Sequence, residues 1–331
     1  MKHIISLDKT RSAYVLAAVC FALGMIVGGI GHLALSRLDG ARSYKNTPRE
    51  AREAGGILTS PLLECTESGP LPLESLRLLE AAVNKYVASR KDITMSVYFR
   101  DLRNGGWISV GDSTLYQPSS MMKLPITIAA YRKLEEDPTF FTKEVTMVTE
   151  DPLEQNIIDF EPTKIPEVVP IRELVYRAMV YSDNRANYTL AREVGVSTID
   201  KVINDFGIRP LDVINEYEVT PREYSSLYRI LYNATYLSHA HSEELLYILT
   251  QSSFKRGIVA GVPEGTVVAH KFGERVIGGG PQTLLEHQLH DCGIVYAELP
   301  YVLCVMSKGT SFDSLYDSIS QVSRIVYERT N

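Results

Sequence analysis

Apolar residues follow first a helical and then a strand period in the part of the chain after residue 60. Residues 73–89 place them three and four positions apart, which predicts an amphipathic helix. Residues 93–99 alternate as a strand, and residues 107–110 resume the strand pattern after a glycine-rich turn at 104–106. This arrangement predicts a β-hairpin.

The middle of the chain is helical in pattern, and strand patterns return after it. The predicted helices cover residues 171–179, 184–193, 197–206, 221–233, 242–249 and 312–327, and the later strands cover 267–271, 289–297 and 301–306. Strands at both ends with helices between them indicate one sheet built from the N- and C-terminal segments, with a helical lobe inserted. The sequence therefore predicts an α+β architecture, with a cleft where the sheet meets the helical lobe.

The N-terminal segment differs from the rest of the chain in its long, uncharged apolar stretch. No charged side chain occurs from Ala13 to Gly31, and the apolar character continues to Leu35, a length that suits one membrane-spanning helix. A cleaved signal peptide or a buried helix would be the alternatives, although no clear small-residue cleavage site is present. Basic residues lie on both sides of the segment, so their distribution does not favour an external domain. The expected organisation is a cytoplasmic tail at 1–12, a transmembrane anchor at 13–36, a linker at 37–62 and a folded domain at 63–331.

Composition is that of an ordinary globular protein. Of the 331 residues, 45% are hydrophobic and 22% are charged. The net charge of -6 gives no electrostatic footprint for nucleic acid. Four cysteines and seven histidines are scattered without ligand spacing, so we expect neither a metal site nor a cofactor.

The first candidate for chemistry is an S-x-x-K pattern, Ser120 to Lys123, at the start of a predicted apolar helix. The two side chains would share one helical face. A lysine whose pKa is lowered in a dry pocket can take the proton of a neighbouring serine and make it a nucleophile. Alone, the pattern is better explained by Ser119 and Ser120 as helix caps and Lys123 as a surface residue. Pro125 argues for a shaped helix, because proline inside a helix costs about 3 kcal/mol.

Two further motifs follow in order: S-D-N at residues 182–184 and K-F-G at residues 271–273. Separately, they could be a helix N-cap and a solvated strand residue. Together with S-x-x-K, they resemble the three signatures of the class A β-lactamase and penicillin-binding D,D-peptidase superfamily. The resemblance spans about residue 70 to the C-terminus. It implies an antiparallel sheet flanked by helices with an all-helical lobe, and a β-lactam or a peptidoglycan peptide as substrate.

The resemblance also implies roles for individual residues. Ser120 would attack the carbonyl, Lys123 would act as its base, and Ser182 would pass a proton to the leaving nitrogen. Asn184, Lys271 and Gly273 would bind the substrate, and the backbone N–H groups of Ser120 and Glu274 would form the oxyanion hole.

The chain departs from the family pattern at two places. Phe272 replaces the threonine or serine whose hydroxyl helps to bind the substrate carboxylate, and Arg275 is a candidate to compensate. The segment between Asp205 and Pro221 is short and lacks the E-x-x-L-N glutamate that activates the deacylating water. Glu216 and Glu218 are the candidate substitutes, and a solvated surface role is the alternative for both.

These features predict acylation without fast deacylation. The family resemblance places the domain outside the cytoplasmic membrane, where Cys292 and Cys304 could pair across a hairpin. Two other functions stay open: a D,D-carboxypeptidase or endopeptidase that acts on peptidoglycan, and a catalytically degraded domain that binds peptidoglycan or a partner.

Overall fold

The computed structural model describes residues 56–60, 73–147, 158, 167–210, 216–278 and 285–331. The predicted tail at 1–12 and the predicted membrane span at 13–36 lie outside this part of the chain. Within the described ranges, no helix is both long enough and apolar enough to cross a membrane.

One antiparallel sheet of five strands organises the domain. The strands are β1 Ile93–Asp101, β2 Trp107–Val110, β7 Val267–Ile277, β8 Glu286–Tyr296 and β9 Tyr301–Gly309. Their order across the sheet is β2-β1-β9-β8-β7. Strand β1 pairs with β9 from Ile93 opposite Gly309 to Asp101 opposite Tyr301. The N- and C-terminal segments therefore share one sheet, as the sequence predicts.

Helices cover both faces of this sheet. The α-helices are α1 Leu73–Ser89, α2 Lys123–Glu136, α3 Ile171–Val180, α4 Asn184–Val194, α5 Val196–Asp205, α6 Pro221–Tyr232, α7 His239–Thr250 and α8 Phe312–Thr330. Helices α1 and α8 pack on one face through Leu79, Leu315 and Ile319. The helical lobe packs on the other face. Because both faces are covered, β9 is buried continuously from Tyr301 to Ser307 rather than in alternation.

Two short two-stranded sheets complete the described fold. Strand β3 (Glu144–Thr146) pairs with β4 (Val168–Pro170), and β5 (Arg209–Pro210) pairs with β6 (Tyr217–Glu218). The second pair lies in the short connection between α5 and α6.

The ends of two elements differ from the prediction, and both differences matter for the site. Residues 119–122 form a 3-10 turn, and α2 begins only at Lys123, so Pro125 falls in its first turn, where an N–H has no intrahelical partner to lose. Strand β7 continues to Ile277 because it pairs with β8 along its whole length, from Val267 opposite Tyr296 to Ile277 opposite Glu286. The K-F-G motif therefore lies inside the strand, not at its end.

Residues 56–60, which the sequence assigns to the linker, pack against helix α7. The Glu243 carboxylate accepts hydrogen bonds from the Leu58 and Thr59 N–H groups at 2.9 and 2.8 Å. Leu58 is buried in the main hydrophobic cluster. The folded unit therefore begins several residues before position 63, because an acidic helix residue satisfies the backbone donors of this segment.

Strands β8 and β9 are also joined covalently. Cys292 lies directly opposite Cys304 in the register, and the two form a disulfide. Lys271 lies opposite Cys292 on the other side, in β7. The cross-link therefore fixes the strand next to the one that carries the K-F-G motif.

Candidate active site

Ser120 lies in the 3-10 turn that precedes α2. The residue before it, Ser119, has a φ of 53°, a left-handed conformation that is uncommon outside glycine and is typical of strained functional positions. Neither the 3-10 turn nor α2 has a side-chain cap at its N-terminus. The Ser120 hydroxyl is therefore not used as a helix cap.

Lys123 contacts three other residues of the site. Its Nζ donates hydrogen bonds to Ser120 Oγ at 2.7 Å, to Asn184 Oδ1 at 2.7 Å and to Ser182 Oγ at 3.3 Å. Burial lowers the pKa of Lys123 to about 7, although the negative charges of Asp183 and Glu274 oppose the shift. A substantial fraction of this amine is thus neutral near pH 7, and a neutral amine at 2.7 Å can accept the hydroxyl proton.

Ser182 lies between the two lysines at the junction of α3 and α4. Its φ is 57°, and its Oγ accepts a hydrogen bond from Lys271 Nζ at 2.9 Å. The next residue, Asp183, caps α4 by accepting from the N–H groups of Arg185 and Ala186. The S-D-N motif therefore does both things that the sequence allows: its aspartate caps a helix, while its serine and asparagine contact Lys123.

Lys271 is fully buried, which rules out a solvated strand residue. Burial and the charge of Lys123 lower its pKa well below the usual value, and Asp291 and Glu274 oppose the shift. The Lys271 Nζ lies 4.1 Å from the centroid of the Phe272 ring. A cation above an aromatic face is stabilised, so the ring favours the charged form of the lysine.

Phe272 itself is a core residue. Its side chain is 1% exposed and packs against Phe254 with ring centroids 4.5 Å apart and the ring planes tilted by 31°. The replacement of the family hydroxyl is thus matched by a local apolar pocket.

Gly273 allows β7 to lie close to the 3-10 turn at 119–122 that carries Ser120, here called the serine turn. A Cβ at this position would lie 2.3 Å from the Pro118 carbonyl oxygen and 2.9 Å from Met121 Cγ. Only glycine allows this approach of two backbones without displacement. The next residue, Glu274, is therefore held next to the 3-10 turn, and its carboxylate is close enough to affect the pKa of both Lys123 and Lys271.

Two of the remaining residues proposed from the sequence, Arg275 and Glu216, contact each other. Arg275 Nη1 lies 2.8 and 2.7 Å from the two carboxylate oxygens of Glu216. Glu218 lies in β6, where it pairs with Arg209 of β5 in the strand register. The structure thus brings the proposed carboxylate binder and one proposed deacylation base into contact with each other.

His290 is a supporting residue that sequence reasoning missed. Its Nδ1 accepts from the Ser307 N–H at 3.2 Å, so Nε2 carries the proton and donates to the Gln117 carbonyl at 3.0 Å. This bond holds the loop three residues before Ser120. Burial lowers the pKa of His290 to about 4. A histidine within a predicted strand carries no signal of such a role, because its partner is a backbone carbonyl 173 residues away.

One serine, two buried lysines, a bridging serine and an asparagine thus meet on an α+β scaffold, an arrangement chemically suited to serine acyl transfer. The sequence profile of the beta-lactamase enzyme family matches residues 78–330. The chain therefore belongs to this family of serine β-lactamase-like proteins. The sequence matches no protein of curated function.

Several solved structures have a similar fold. PBP-A, including a point mutant solved as an acyl-enzyme complex with penicillin G, is 22% identical, with a TM-score of 0.65, over 76% of this chain and 96% of that one. A β-lactamase from Sphaerobacter thermophilus DSM 20745 is 19% identical, with a TM-score of 0.63, over 76% and 96%. A class A β-lactamase from Mycobacterium abscessus is 20% identical, with a TM-score of 0.62, over 77% and 98%. At these identities the likeness concerns the fold.

Proposed function

We propose that this protein is a membrane-anchored serine hydrolase in which Ser120 forms an acyl-enzyme with β-lactams or D-alanyl peptides. The observation that carries the proposal is the 2.7 Å hydrogen bond between Lys123 Nζ and Ser120 Oγ. The pKa of about 7 makes this lysine a base that works near neutral pH.

The proposed acylation uses the residues in a fixed order. Lys123 takes the Ser120 proton, Oγ bonds to the substrate carbonyl carbon, and the C–N bond breaks. Ser182, hydrogen-bonded to both lysines, passes a proton to the leaving nitrogen. Lys271 supplies positive charge for the substrate carboxylate, and the Ser120 and Glu274 N–H groups stabilise the developing oxyanion.

Deacylation is proposed to be slow. It needs a carboxylate that can activate water, and the Glu216 carboxylate is engaged by Arg275. The solved acyl-enzyme of a PBP-A mutant with penicillin G supports the idea that this fold can hold such an intermediate. We therefore favour a penicillin-binding behaviour over rapid turnover.

The proposed location is outside the cytoplasmic membrane, with residues 13–36 as the anchor. The apolar length of that segment supports the anchor. The Cys292–Cys304 disulfide supports an oxidising compartment for the domain.

The test is labelling of the full-length protein with a fluorescent penicillin, followed by intact-mass measurement. We expect one covalent adduct per chain that persists for minutes and is absent in Ser120→Ala. Ser119→Ala is the matched control, because within the described part of the chain its hydroxyl bonds the Gln117 carbonyl, at 3.3 Å, and not Lys123. Rapid hydrolysis of a chromogenic cephalosporin would contradict slow deacylation. No adduct and no hydrolysis would support the degraded binding domain instead.

A further inference from the structure

A cavity of about 790 Å³ opens between strand β1 and helix α6. None of its lining residues belongs to the Ser120 site. Its walls include Tyr98 and Arg100 of β1, and Arg222, Ser226 and Arg229 of α6. The short connection between α5 and α6 borders it through Phe206, Arg209 and Thr220.

The sequence builds this cavity by simple periodicity. Tyr98 and Arg100 are two positions apart on β1, so their side chains leave the same face of the sheet. Arg222, Ser226 and Arg229 follow the i, i+4, i+7 spacing of one helical face. Three arginines, one from β1 and two from α6, therefore line one concave surface.

Among the described residues that line it, the cavity has more positive than negative charge. Four arginines line it, against the two carboxylates of Asp112 and Glu223. Glu223 is already engaged, because it completes the capping box of α6 with Thr220 and pairs with Arg209. Among the described residues, Arg100, Arg222 and Arg229 form no ion pair. A positive excess of this kind is notable in a chain of net charge -6.

Arg222 lies at a position where the helix backbone disfavours a positive charge. It lies in the first turn of α6, next to the positive end of the helix dipole. Its guanidinium lies 4.6 Å from the centroid of the Trp107 ring, which fixes its position beside the cavity. An anion bound at this end of the helix would relieve the unfavourable interaction between like charges.

We propose that this cavity is a second binding site, for a small phosphorylated molecule. Guanidinium groups present forked donors that match phosphate oxygens, and a phosphate dianion matches the charge excess better than a single carboxylate does. The volume lies in the range of small-molecule sites. The rings of Tyr98 and Phe206 offer apolar walls for the organic part of the ligand. The site is independent of the Ser120 chemistry.

The experiment is calorimetric titration of the full-length protein with pyrophosphate, glucose 6-phosphate and glycerol 3-phosphate, with citrate as a carboxylate comparison. We expect binding of at least one phosphate compound that weakens about tenfold or more in Arg100→Gln and in Arg229→Gln, since a charge-assisted hydrogen bond contributes roughly this much. Arg324→Gln, an exposed arginine on α8 outside the cavity, is the matched control and should bind as the wild type does. Labelling of Ser120 should be unchanged in all three variants.

Three results would overturn the proposal. The first is no binding of any phosphate compound at about 10 mM. The second is equal binding by the wild type and the Arg100→Gln, Arg229→Gln double variant, and the third is binding of citrate that matches the phosphates. If Arg100→Gln does not fold, the exposed Arg222→Gln carries the same test.

Discussion

Arg275 and Glu216 form an ion pair in which one guanidinium nitrogen contacts both carboxylate oxygens, at 2.8 and 2.7 Å. The pair ties strand β7 to the short connection between α5 and α6. The sequence predicts separate roles for the two residues: Arg275 would bind the substrate carboxylate, and Glu216 would activate the deacylating water. In the structure each holds the other, so a substrate carboxylate would compete with Glu216 for Arg275.

The first prediction concerns this competition. Glu216→Gln should release Arg275 and increase the apparent affinity for benzylpenicillin roughly two- to fivefold, the range for partly exposed pairs. Arg275→Ala should decrease it. Saturation of the acylation rate with penicillin concentration measures both. In the double variant, the gain from Glu216→Gln should disappear. A gain that survives without Arg275 would mean that the pair does not control carboxylate binding.

The second prediction concerns Lys123 as a base. Because burial lowers its pKa to about 7, the acylation rate should rise about tenfold per pH unit below pH 7 and level off above it. Stopped-flow labelling between pH 5 and 9 measures the profile. Lys123→Arg should abolish acylation, because a guanidinium stays protonated. Lys133→Arg, on the same helix, is the control. A flat profile between pH 6 and 8 would exclude Lys123 as the titrating base.

The third prediction concerns the close approach at Gly273. In Gly273→Ala the new methyl would meet the Pro118 carbonyl oxygen at 2.3 Å, so β7 and the serine turn must separate. We expect acylation to slow by about a hundredfold, the cost of a small misplacement of reacting groups. We also expect the free energy of unfolding to fall by about 1–3 kcal/mol.

Gly309→Ala is the control for that variant. It adds the same methyl to β9, where the nearest atom is a side-chain methyl, Ile93 Cγ2 at 2.8 Å, and not a backbone atom of the serine turn. It should lower stability without slowing acylation of the remaining folded protein. Normal acylation in Gly273→Ala would show that the approach of β7 is not needed for the reaction.

Local patterns predicted the scaffold and the residues of the central site. The hairpin at β1 and β2, the helices from 171 to 250 and the order of the three motifs all follow from short-range periodicity and spacing. The pairing of Arg275 with Glu216 does not follow from such patterns, because the partners are 59 residues apart and both residue types are common on protein surfaces. The packing of Phe272 against Phe254 was missed for a similar reason: a substitution in a motif shows what is lost, but not what now fills the space.

The last prediction concerns His290 and stability at low pH. Its pKa is about 4 in the folded protein and about 6.5 in the unfolded chain, because burial disfavours the charged form. Between these values the unfolded state binds a proton that the native state does not, so stability should fall as pH decreases from 6.5 to 4 and show no further loss from this group below that. The loss should reach about 3 kcal/mol. Urea unfolding at pH 7 and 4.5 should show a smaller difference for His290→Gln than for wild type or His287→Gln. An NMR titration midpoint of His290 near 6.5 would contradict this account, because the Nδ1 that accepts from Ser307 would then be protonated in the native protein near neutral pH.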